Sequence, residues 1–352
     1  MNKTHHKVVI VGAGLIGGSI ALDLSAKGVL VSLIDLNPDA INNLISRGVM
    51  NNNFTDEEVS VVFISTPPAI AVKSISDCLE RYPNAVVIDT ISAKMFVVRA
   101  LEHHPSRSRF LPSHPMAGRA GSGAVNARKE IFADRIWVIS SEHTDREFQK
   151  TANEILELMN PIILEMSADV HDYSAAAVSH LPQIFASVLA ATIFQSKADT
   201  SISGGGLKDM VRIAHASPEL WQQILIANNQ EVLKLLKQAI STLQQFEQDL
   251  SFANIEGIEN LIRTGDSLVG RLPGKHGSVA TKYDSISLVV PDQPGSLAKL
   301  FDLAQTHSIN IEDVRIEHIL NKDAAIVELM VKPSISSKTA QVYKENGWLI
   351  RE

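Results

Sequence analysis

Residues 7–17 read KVVIVGAGLIG, a short strand of mostly β-branched residues that runs directly into the glycine pattern Gly12-x-Gly14-x-x-Gly17. A second apolar run follows and ends in Asp35, 23 positions after Gly12. Between a strand and a helix, such glycines permit a tight turn, a close approach of the backbone to pyrophosphate, and close packing of helix on sheet. The stretch predicts a Rossmann-type dinucleotide site, in which Asp35 accepts the ribose hydroxyls and favours NAD over NADP. The other residues expected to bind the cofactor here are Gly12, Gly14, Leu15, Ile16 and Gly17.

The first 165 residues alternate apolar runs with helical patterns. Continuous β-branched runs bounded by Gly, Pro and Asp are typical of parallel strands buried on both faces. We therefore predict a doubly wound α/β sheet in residues 1–165. The predicted strands are Lys7–Val11, Val29–Asp35, Val59–Ser65, Ala85–Asp89, Arg109–Pro112 and Ile136–Ser140.

The rest of the chain predicts two further domains and a linker. Residues 166–270 have helical periodicity and predict an all-helical substrate and dimerisation domain. Its expected helices are Asp172–Gln195, Pro218–Leu250 and Phe252–Leu268. The stretch Val178–Ile193 is apolar on nearly every face, so we expect it to be buried all round, with a subunit interface as one possible reason. Residues 271–282 read as a linker, and residues 283–352 follow the ferredoxin-like order βαββαβ.

Composition excludes several classes of protein. The 352 residues are 45% hydrophobic and 20% charged, as in an ordinary globular chain, and the net charge of −7 argues against nucleic acid as a partner. The single cysteine, Cys78, cannot form an internal disulfide. The longest apolar stretch, Leu181–Phe194, is shorter than the ~20 residues that a bilayer requires. We therefore expect a soluble, cytoplasmic protein with no membrane partner.

Two strand-end turns point toward the crevice where ligands bind in such sheets. Ser65-Thr66-Pro67-Pro68 is interpreted either as a cofactor contact, through Ser65 and Pro67, or as a plain structural turn. The segment 89–94 (DTISAK) places a hydroxyl and an ammonium at the mouth of the crevice. Its alternative role is a helix cap, in which Asp89 or Ser92 accepts hydrogen bonds from the first free amides.

His114 follows the fifth predicted strand and lies between two prolines, where an imidazole suits a general base at neutral pH. His171 and His180 are nine residues apart, which does not place both rings on one helix face, so no metal site is predicted. His180 lies in an apolar helix and needs a hydrogen-bond partner, structural or functional. For Arg212, the residues alone favour an internal pair with Asp209 over a substrate carboxylate. The turn Asp292-Gln293-Pro294-Gly295 could hold a small carboxylate or be an ordinary loop.

Taken together, these motifs resemble the prephenate dehydrogenase family of tyrosine biosynthesis. The resemblance is carried by the glycine pattern, by Ser92-Ala93-Lys94, by residues 114–118 (HPMAG), by residues 179–182 (SHLP) and by residues 209–212 (DMVR). The last unit resembles an ACT domain, a regulatory module that commonly binds amino acids. One departure concerns Ala120, which stands where many relatives carry a glutamate.

The resemblance implies NAD-dependent oxidative decarboxylation of prephenate to 4-hydroxyphenylpyruvate and CO2. It implies that His114 accepts the proton of the ring hydroxyl, that Ser92 binds that hydroxyl and orients His114, and that Arg212 holds a carboxylate. Further implied substrate contacts are His180, Gly205 and Trp221. The apolar character of the helical domain suggests a homodimer. The resemblance of the last unit implies tyrosine as an effector, bound at Asp292, Pro294 and Gly295.

Three rival functions stay open at this stage. The first is an arogenate dehydrogenase. The second is a 3-hydroxyacid dehydrogenase that uses Lys208 as its catalytic lysine. The third is a non-catalytic, amino-acid-responsive NAD sensor.

Overall fold

The computed structural model describes residues 6–117, 121, 123–269, 283–319 and 322–351. The chain forms two compact units, Met1–Ser241 and Thr242–Glu352. The expected linker 271–282 and the departure at Ala120 lie outside the described residues.

The first unit contains a five-stranded parallel sheet whose two faces are both covered. Alternate residues of its first strand, Lys7–Val11, enter different cores: Val8 and Ile10 pack in one cluster, and Val9 packs in the other. This explains why the strands read as continuous apolar runs, and it confirms the predicted Rossmann-like parallel sheet. The strands are β1 (Lys7–Val11), β2 (Leu30–Ile34), β3 (Val61–Ile64), β4 (Val86–Asp89) and β5 (Phe110–Leu111), in the order β2-β1-β3-β4-β5. The helices that alternate with them are α1 (Leu15–Ala26), α2 (Pro38–Ser46), α3 (Pro68–Arg81) and α4 (Met95–Ala100).

The predicted sixth strand belongs to a different, three-stranded sheet, so its assignment to the parallel sheet was wrong. This sheet consists of β6 (Ser113–Pro115), β7 (Ile136–Ile139) and β8 (Ile162–Glu165), with helix α5 (Arg146–Glu157) between β7 and β8. β6 and β7 are antiparallel and pair His114 with Val138. A parallel pairing needs a crossover that is usually a helix, and the described part of 116–135 contains no α-helix.

Helices make up the remainder of the first unit. They are α6 (Ala168–Ala175), a π-helical turn (Ala176–His180), α7 (Leu181–Ser196), α8 (Gly205–Ala214), α9 (Pro218–Ala227) and α10 (Asn229–Ser251). The predicted helix Pro218–Leu250 is therefore two helices that break at Asn228, whose side chain turns inward to bond other elements. The boundary between the two units falls inside α10.

Within a single chain the apolar stretch Val178–Ile193 is not buried all round, so the expected burial would require a subunit interface. In α7 only Gln183 and Ala186 are buried, whereas Val188 is 57% exposed. The run Ala168–Ser196 is long and apolar enough to cross a membrane by length and composition, at a mean hydropathy of 1.5. It also carries buried polar side chains that bond to the α/β part, as in a helix packed within a protein.

The second unit has helix α11 (Ile255–Val269) and a four-stranded antiparallel sheet with two helices. After α11, which begins three residues later than predicted, the order is β9 (Asp284–Pro291), α12 (Ser296–Thr306), β10 (Asp313–His318), β11 (Ala324–Val331), α13 (Pro333–Glu345) and β12 (Leu349–Arg351). The spatial order is β10-β11-β9-β12. Tyr343 is fully buried, and its hydroxyl donates to the Leu300 carbonyl at 2.9 Å, which ties α13 to α12. The predicted succession of strands and helices is thus observed.

Candidate active site

Two of the three glycines in the turn from β1 into α1 are required, because a side chain there would clash with nearby backbone atoms. Gly12 has φ = +97°, and a Cβ on it would lie 2.5 Å from the Ser65 carbonyl oxygen. A Cβ on Gly17 would lie 1.9 Å from the Gly12 carbonyl oxygen. A Cβ on Gly14, by contrast, would have no atom within 4 Å, which leaves open space at the start of α1. The turn thus presents the free amides of a helix N-terminus to an open cradle, which fits a dinucleotide phosphate.

Asp35 and two hydroxyl residues complete this cradle. The Asp35 carboxylate accepts the Ala13 N–H at 2.6 Å and the Asn37 N–H at 2.7 Å, so it is held beside the glycine turn with acceptor capacity to spare. At the end of β3, the Ser65 hydroxyl accepts from the Thr90 hydroxyl at 3.1 Å. The Thr66 hydroxyl is buried without a hydrogen-bond partner in the described residues. An orphaned donor at a strand end that faces the crevice fits a polar group of a bound cofactor.

His114 lies on β6, and the residue before it is locked in place. The Ser113 N–H donates to Asp89 Oδ1 at 2.9 Å, and the Trp137 indole donates to the Ser113 hydroxyl at 3.0 Å. Trp137 is fully buried, so the strand that carries His114 is attached to the core from both sides.

Lys94 lies inside the protein and not at the mouth of the crevice, where the sequence analysis placed its ammonium. Its side chain is 0% exposed, and its Nζ donates to Asp89 Oδ2 and to the Ser113 carbonyl. Burial lowers the pKa of Lys94 and raises the pKa of Asp89, while the attraction between the two charges opposes both shifts. The pair joins the segment that carries Ser92 to the strand that carries His114.

The cap of α4 comes from the helical part of the unit, whereas the sequence analysis expected it from Asp89 or Ser92. Asp172 on α6 accepts the Lys94 N–H at 2.7 Å and the Met95 N–H at 2.8 Å. Asp89 instead accepts the Ile91 N–H at 3.3 Å. Sequence reasoning could not find this cap because it spans 78 positions.

His114 contacts a second histidine that sequence reasoning considered only as a metal ligand. His114 Nδ1 lies 2.9 Å from His171 Nε2, and His171 Nδ1 lies 2.8 Å from Asp172 Oδ1. Burial, followed by the neighbouring His171, Lys94 and His180, holds the pKa of His114 well below its usual range. A lowered pKa favours the neutral form of the His114 ring, and that form can accept a proton. The sequence feature that could have indicated this contact is the pair His171-Asp172 within an apolar helix.

His180 comes at the end of the π-helical turn and is 1% exposed. Its Nδ1 lies 3.3 Å from the Asn228 amide nitrogen, which also donates to the Asp172 carbonyl at 2.8 Å. Burial lowers the pKa of His180 to about 4, against the opposing pull of Asp172. The ring stands edge-on to Trp221 with 6.0 Å between centroids. The structure thus brings together His114, His180 and Trp221 through one network.

Arg212 and Gly205 lie on α8, and among the described residues no hydrogen bond, ion pair or ring contact links the Arg212 side chain to that network. Arg212 is exposed, and no ion pair with Asp209 occurs among the described residues, so the internal pair was wrong. Its guanidinium is available to a carboxylate. Gly205 begins α8 with no atom within 4 Å of a Cβ built on it.

Comparison with known proteins gives the family. The model of the prephenate dehydrogenase nucleotide-binding domain matches residues 20–165, and the model of the dimerization domain of the same enzyme matches residues 167–264. The chain belongs to the prephenate dehydrogenase family. Prephenate dehydrogenase from Bacillus subtilis is 26% identical over 90% of this chain and 89% of its own length. Cyclohexadienyl dehydrogenase from Zymomonas mobilis is 28% identical over 68% of this chain and 86% of its own length.

A solved structure supports the same assignment. Prephenate dehydrogenase from Aquifex aeolicus, in complex with hydroxyphenyl propionate and NAD+, is 27% identical and superposes with a TM-score of 0.66 over 76% of this chain and 98% of its own. The expected class, an NAD-dependent oxidoreductase, is confirmed by membership of this family. Relatives of this chain are named as prephenate and as cyclohexadienyl dehydrogenases. Residues 265–352 lie beyond both family models.

Proposed function

We propose that the protein is a prephenate dehydrogenase that converts prephenate and NAD+ to 4-hydroxyphenylpyruvate, CO2 and NADH. The observation that carries this proposal is His114, which His171 holds on a strand tied to the core, in a family member whose glycine cradle fits the dinucleotide. A neutral imidazole held in place is the group needed to take the proton from the C4 hydroxyl of prephenate.

The residues of this chain have distinct roles in the proposed reaction. His114 accepts the hydroxyl proton, Ser92 binds the same hydroxyl, and Arg212 holds a substrate carboxylate with its planar fork. NAD+ accepts the hydride that leaves C4. The ring carboxylate leaves C1 as CO2, its bonding electrons complete the aromatic ring, and the proton returns from His114 to the C4 oxygen to give the phenol hydroxyl of the product. His180 and Trp221 form the wall of the substrate pocket, and Gly205 admits the substrate at the start of α8.

The cofactor contacts follow from the cradle. Gly12, Gly14 and Gly17, with the amides of Leu15 and Ile16, hold the pyrophosphate, and Asp35 accepts the ribose hydroxyls. Ser65 and Pro67 line the strand-end turn that faces the nicotinamide half. Asp35 repels a 2′-phosphate, so NAD is preferred over NADP.

The quaternary structure that we propose is a homodimer formed through the helices of the first unit. Val188 and Phe194 on α7 are 57% and 86% exposed, and Ile202 after it is 90% exposed. Large apolar side chains in this state are typical of a protein interface. The matched family model describes this region as a dimerization domain. A single buried cysteine and NAD dependence fit a cytoplasmic enzyme.

For the second unit we propose an ACT-like regulatory role with tyrosine as effector. The turn between β9 and α12 has Gly295 at φ = +88° before the helix amides, and Asp292 lies 3.5 Å from His318. A cavity of about 80 Å³ beside it is lined by Asp292, Ser296 and apolar residues of the sheet. The cavity has about the size of the amino and carboxylate end of an amino acid. It must widen to admit the phenol ring of tyrosine as well. Pro294 stiffens the turn.

Substitution of the turn tests this role. Asp292→Asn should weaken inhibition by tyrosine without changing the uninhibited rate, whereas Asp302→Asn, on an exposed carboxylate further along α12, should leave inhibition intact. Equal inhibition of both variants would place the tyrosine effect elsewhere.

Initial rates test the main proposal. NADH formation at 340 nm is measured with prephenate and with arogenate, each with NAD+ and with NADP+. Rapid turnover of prephenate with NAD+ is expected. A preference for arogenate would reassign the substrate and direct attention to Arg119 and Ala120. No turnover with either substrate would refute the enzymatic role and favour the NAD sensor.

A further inference from the structure

Three side chains form a continuous hydrogen-bonded line that ends at the proposed general base. His114 Nδ1 meets His171 Nε2 at 2.9 Å, and His171 Nδ1 meets Asp172 Oδ1 at 2.8 Å. His171 and Asp172 are 2% and 1% exposed, so water does not compete for these contacts. The rings of His114 and His171 are nearly perpendicular, at 77°, with 5.1 Å between centroids.

The direction of each hydrogen bond follows from Asp172. Both of its oxygens accept backbone N–H groups, at 2.7 Å from Lys94 and 2.8 Å from Met95, so the carboxylate acts only as an acceptor. His171 Nδ1 must therefore carry the hydrogen. A neutral His171 then has a bare Nε2, which can only accept. His114 Nδ1 must donate to it, and this leaves His114 Nε2 without a hydrogen.

This direction belongs to the neutral form of His171, because a charged ring would donate through Nε2 and reverse the last bond. The ring is buried at 2% exposure, and the cation Lys94 lies beside His114 and bonds to the Ser113 carbonyl. The other ionisable groups around the line are Asp89, which is paired with Lys94, and the neutral His180.

We propose that His171 and Asp172 are positioning residues that fix His114 in the Nδ1–H tautomer and so leave its Nε2 bare to accept the proton of the substrate hydroxyl. The inference rests on the proposed function. In the reaction, the hydroxyl proton moves to Nε2, the Nδ1–H bond stays intact, and the new imidazolium keeps its hydrogen bond to His171. Ser92, which the family resemblance gave an orienting role, makes no hydrogen bond to His114 among the described residues.

The tautomer can be measured without substrate. In full-length protein labelled with ¹⁵N-histidine, the two ring nitrogens of a neutral histidine have distinct shifts, and the signals of His114 are identified by their loss in His114→Asn. We expect the Nδ1–H tautomer in the wild type at pH 7.5 and loss of that preference in His171→Phe. A wild-type His114 in the Nε2–H tautomer would overturn the proposal, whatever the enzyme's substrate.

Kinetics separate positioning from packing. His171→Phe keeps the ring volume but removes the acceptor. It should lower kcat with prephenate about 10- to 100-fold, by analogy with histidines that lose an orienting partner at metal sites, while KM changes little. His171→Gln, whose amide oxygen reaches about the place of Nε2, should recover part of that loss. His104→Phe removes a largely buried histidine outside the line and is the matched control, with no change in kcat expected.

Two kinetic results would contradict the inference. An equal loss of kcat in His171→Phe and His171→Gln would give His171 only a packing role. A kcat for His171→Phe within twofold of that of the His104→Phe control would remove His171 from the account. If the wild-type protein does not turn over prephenate, the proposed function is refuted. The inference about the tautomer of His114 is still tested, because its measurement needs no turnover.

Discussion

The buried Lys94–Asp89 pair offers a quantitative prediction for Lys94→Met. Methionine has nearly the volume of lysine but no charge, so the substitution removes the ammonium and creates little empty space. Asp89 then retains the N–H groups of Ser113 and Ile91 but loses its charged partner in a fully buried site. Removing one member of a buried ion pair typically costs about 3–5 kcal/mol. The free energy of unfolding should fall by that amount at pH 7.5.

The pH dependence of this loss has a definite sign. Without Lys94, burial raises the pKa of Asp89 unopposed by its partner. The folded variant then binds a proton more tightly than the unfolded chain, so its stability increases as the pH falls. The difference between wild type and Lys94→Met should therefore be smaller at pH 5.5 than at pH 7.5.

Urea unfolding followed by tryptophan fluorescence measures these differences, since Trp137 and Trp221 both report on the first unit. The control is the double variant Lys94→Met/Asp89→Asn, in which the uncompensated charge is also removed. It should regain at least half of the loss. A single variant within about 1 kcal/mol of the wild type, or a double variant no more stable than the single one, would refute the reasoning.

Three further predictions follow from the site. Because burial lowers the pKa of His180 to about 4, below that of an unfolded histidine, the free energy of unfolding should fall by up to about 3 kcal/mol between pH 6.5 and pH 4. His180→Gln should flatten that slope in urea titrations at each pH, and an unchanged slope would count against the buried neutral ring. Gly12→Ala places a Cβ 2.5 Å from the Ser65 carbonyl oxygen, so calorimetry should show NAD+ affinity lost, whereas Gly28→Ala, with open space, should retain it. Since the pKa of His114 lies well below its usual range, the acid limb of kcat/KM for prephenate should fall well below pH 6.5, and a limb at pH 6.5 or above would contradict the neutral base.

Local patterns predicted the parts of the fold that depend on neighbouring residues. The stretch 7–17 forms the strand, turn and helix that its glycines imply, because the steric constraints lie within the turn and the adjacent strand end. The strand Ile136–Ile139 was recognised as a strand but given the wrong partner, since periodicity reports burial and not pairing.

In the candidate site, too, local features could be predicted from the sequence and long-range contacts could not. His114 could be chosen from its position after a strand, and His180 as a polar residue within an apolar helix. The interior place of Lys94 and the cap by Asp172 depend on contacts across many positions, which a single sequence does not contain. The sequence alone could not decide whether its own chain or a second chain covers α7, because an apolar helix reads the same in both cases.

Turnover by the His114→Asn variant tests the central claim most directly. NADH formation from prephenate and NAD+ is compared for wild type, His114→Asn and the control His104→Asn, with NAD+ affinity measured for each. The account predicts rapid turnover by the wild type and the control, and a loss of about 10²- to 10⁴-fold in His114→Asn with unchanged NAD+ affinity. Wild-type rates in His114→Asn would contradict it.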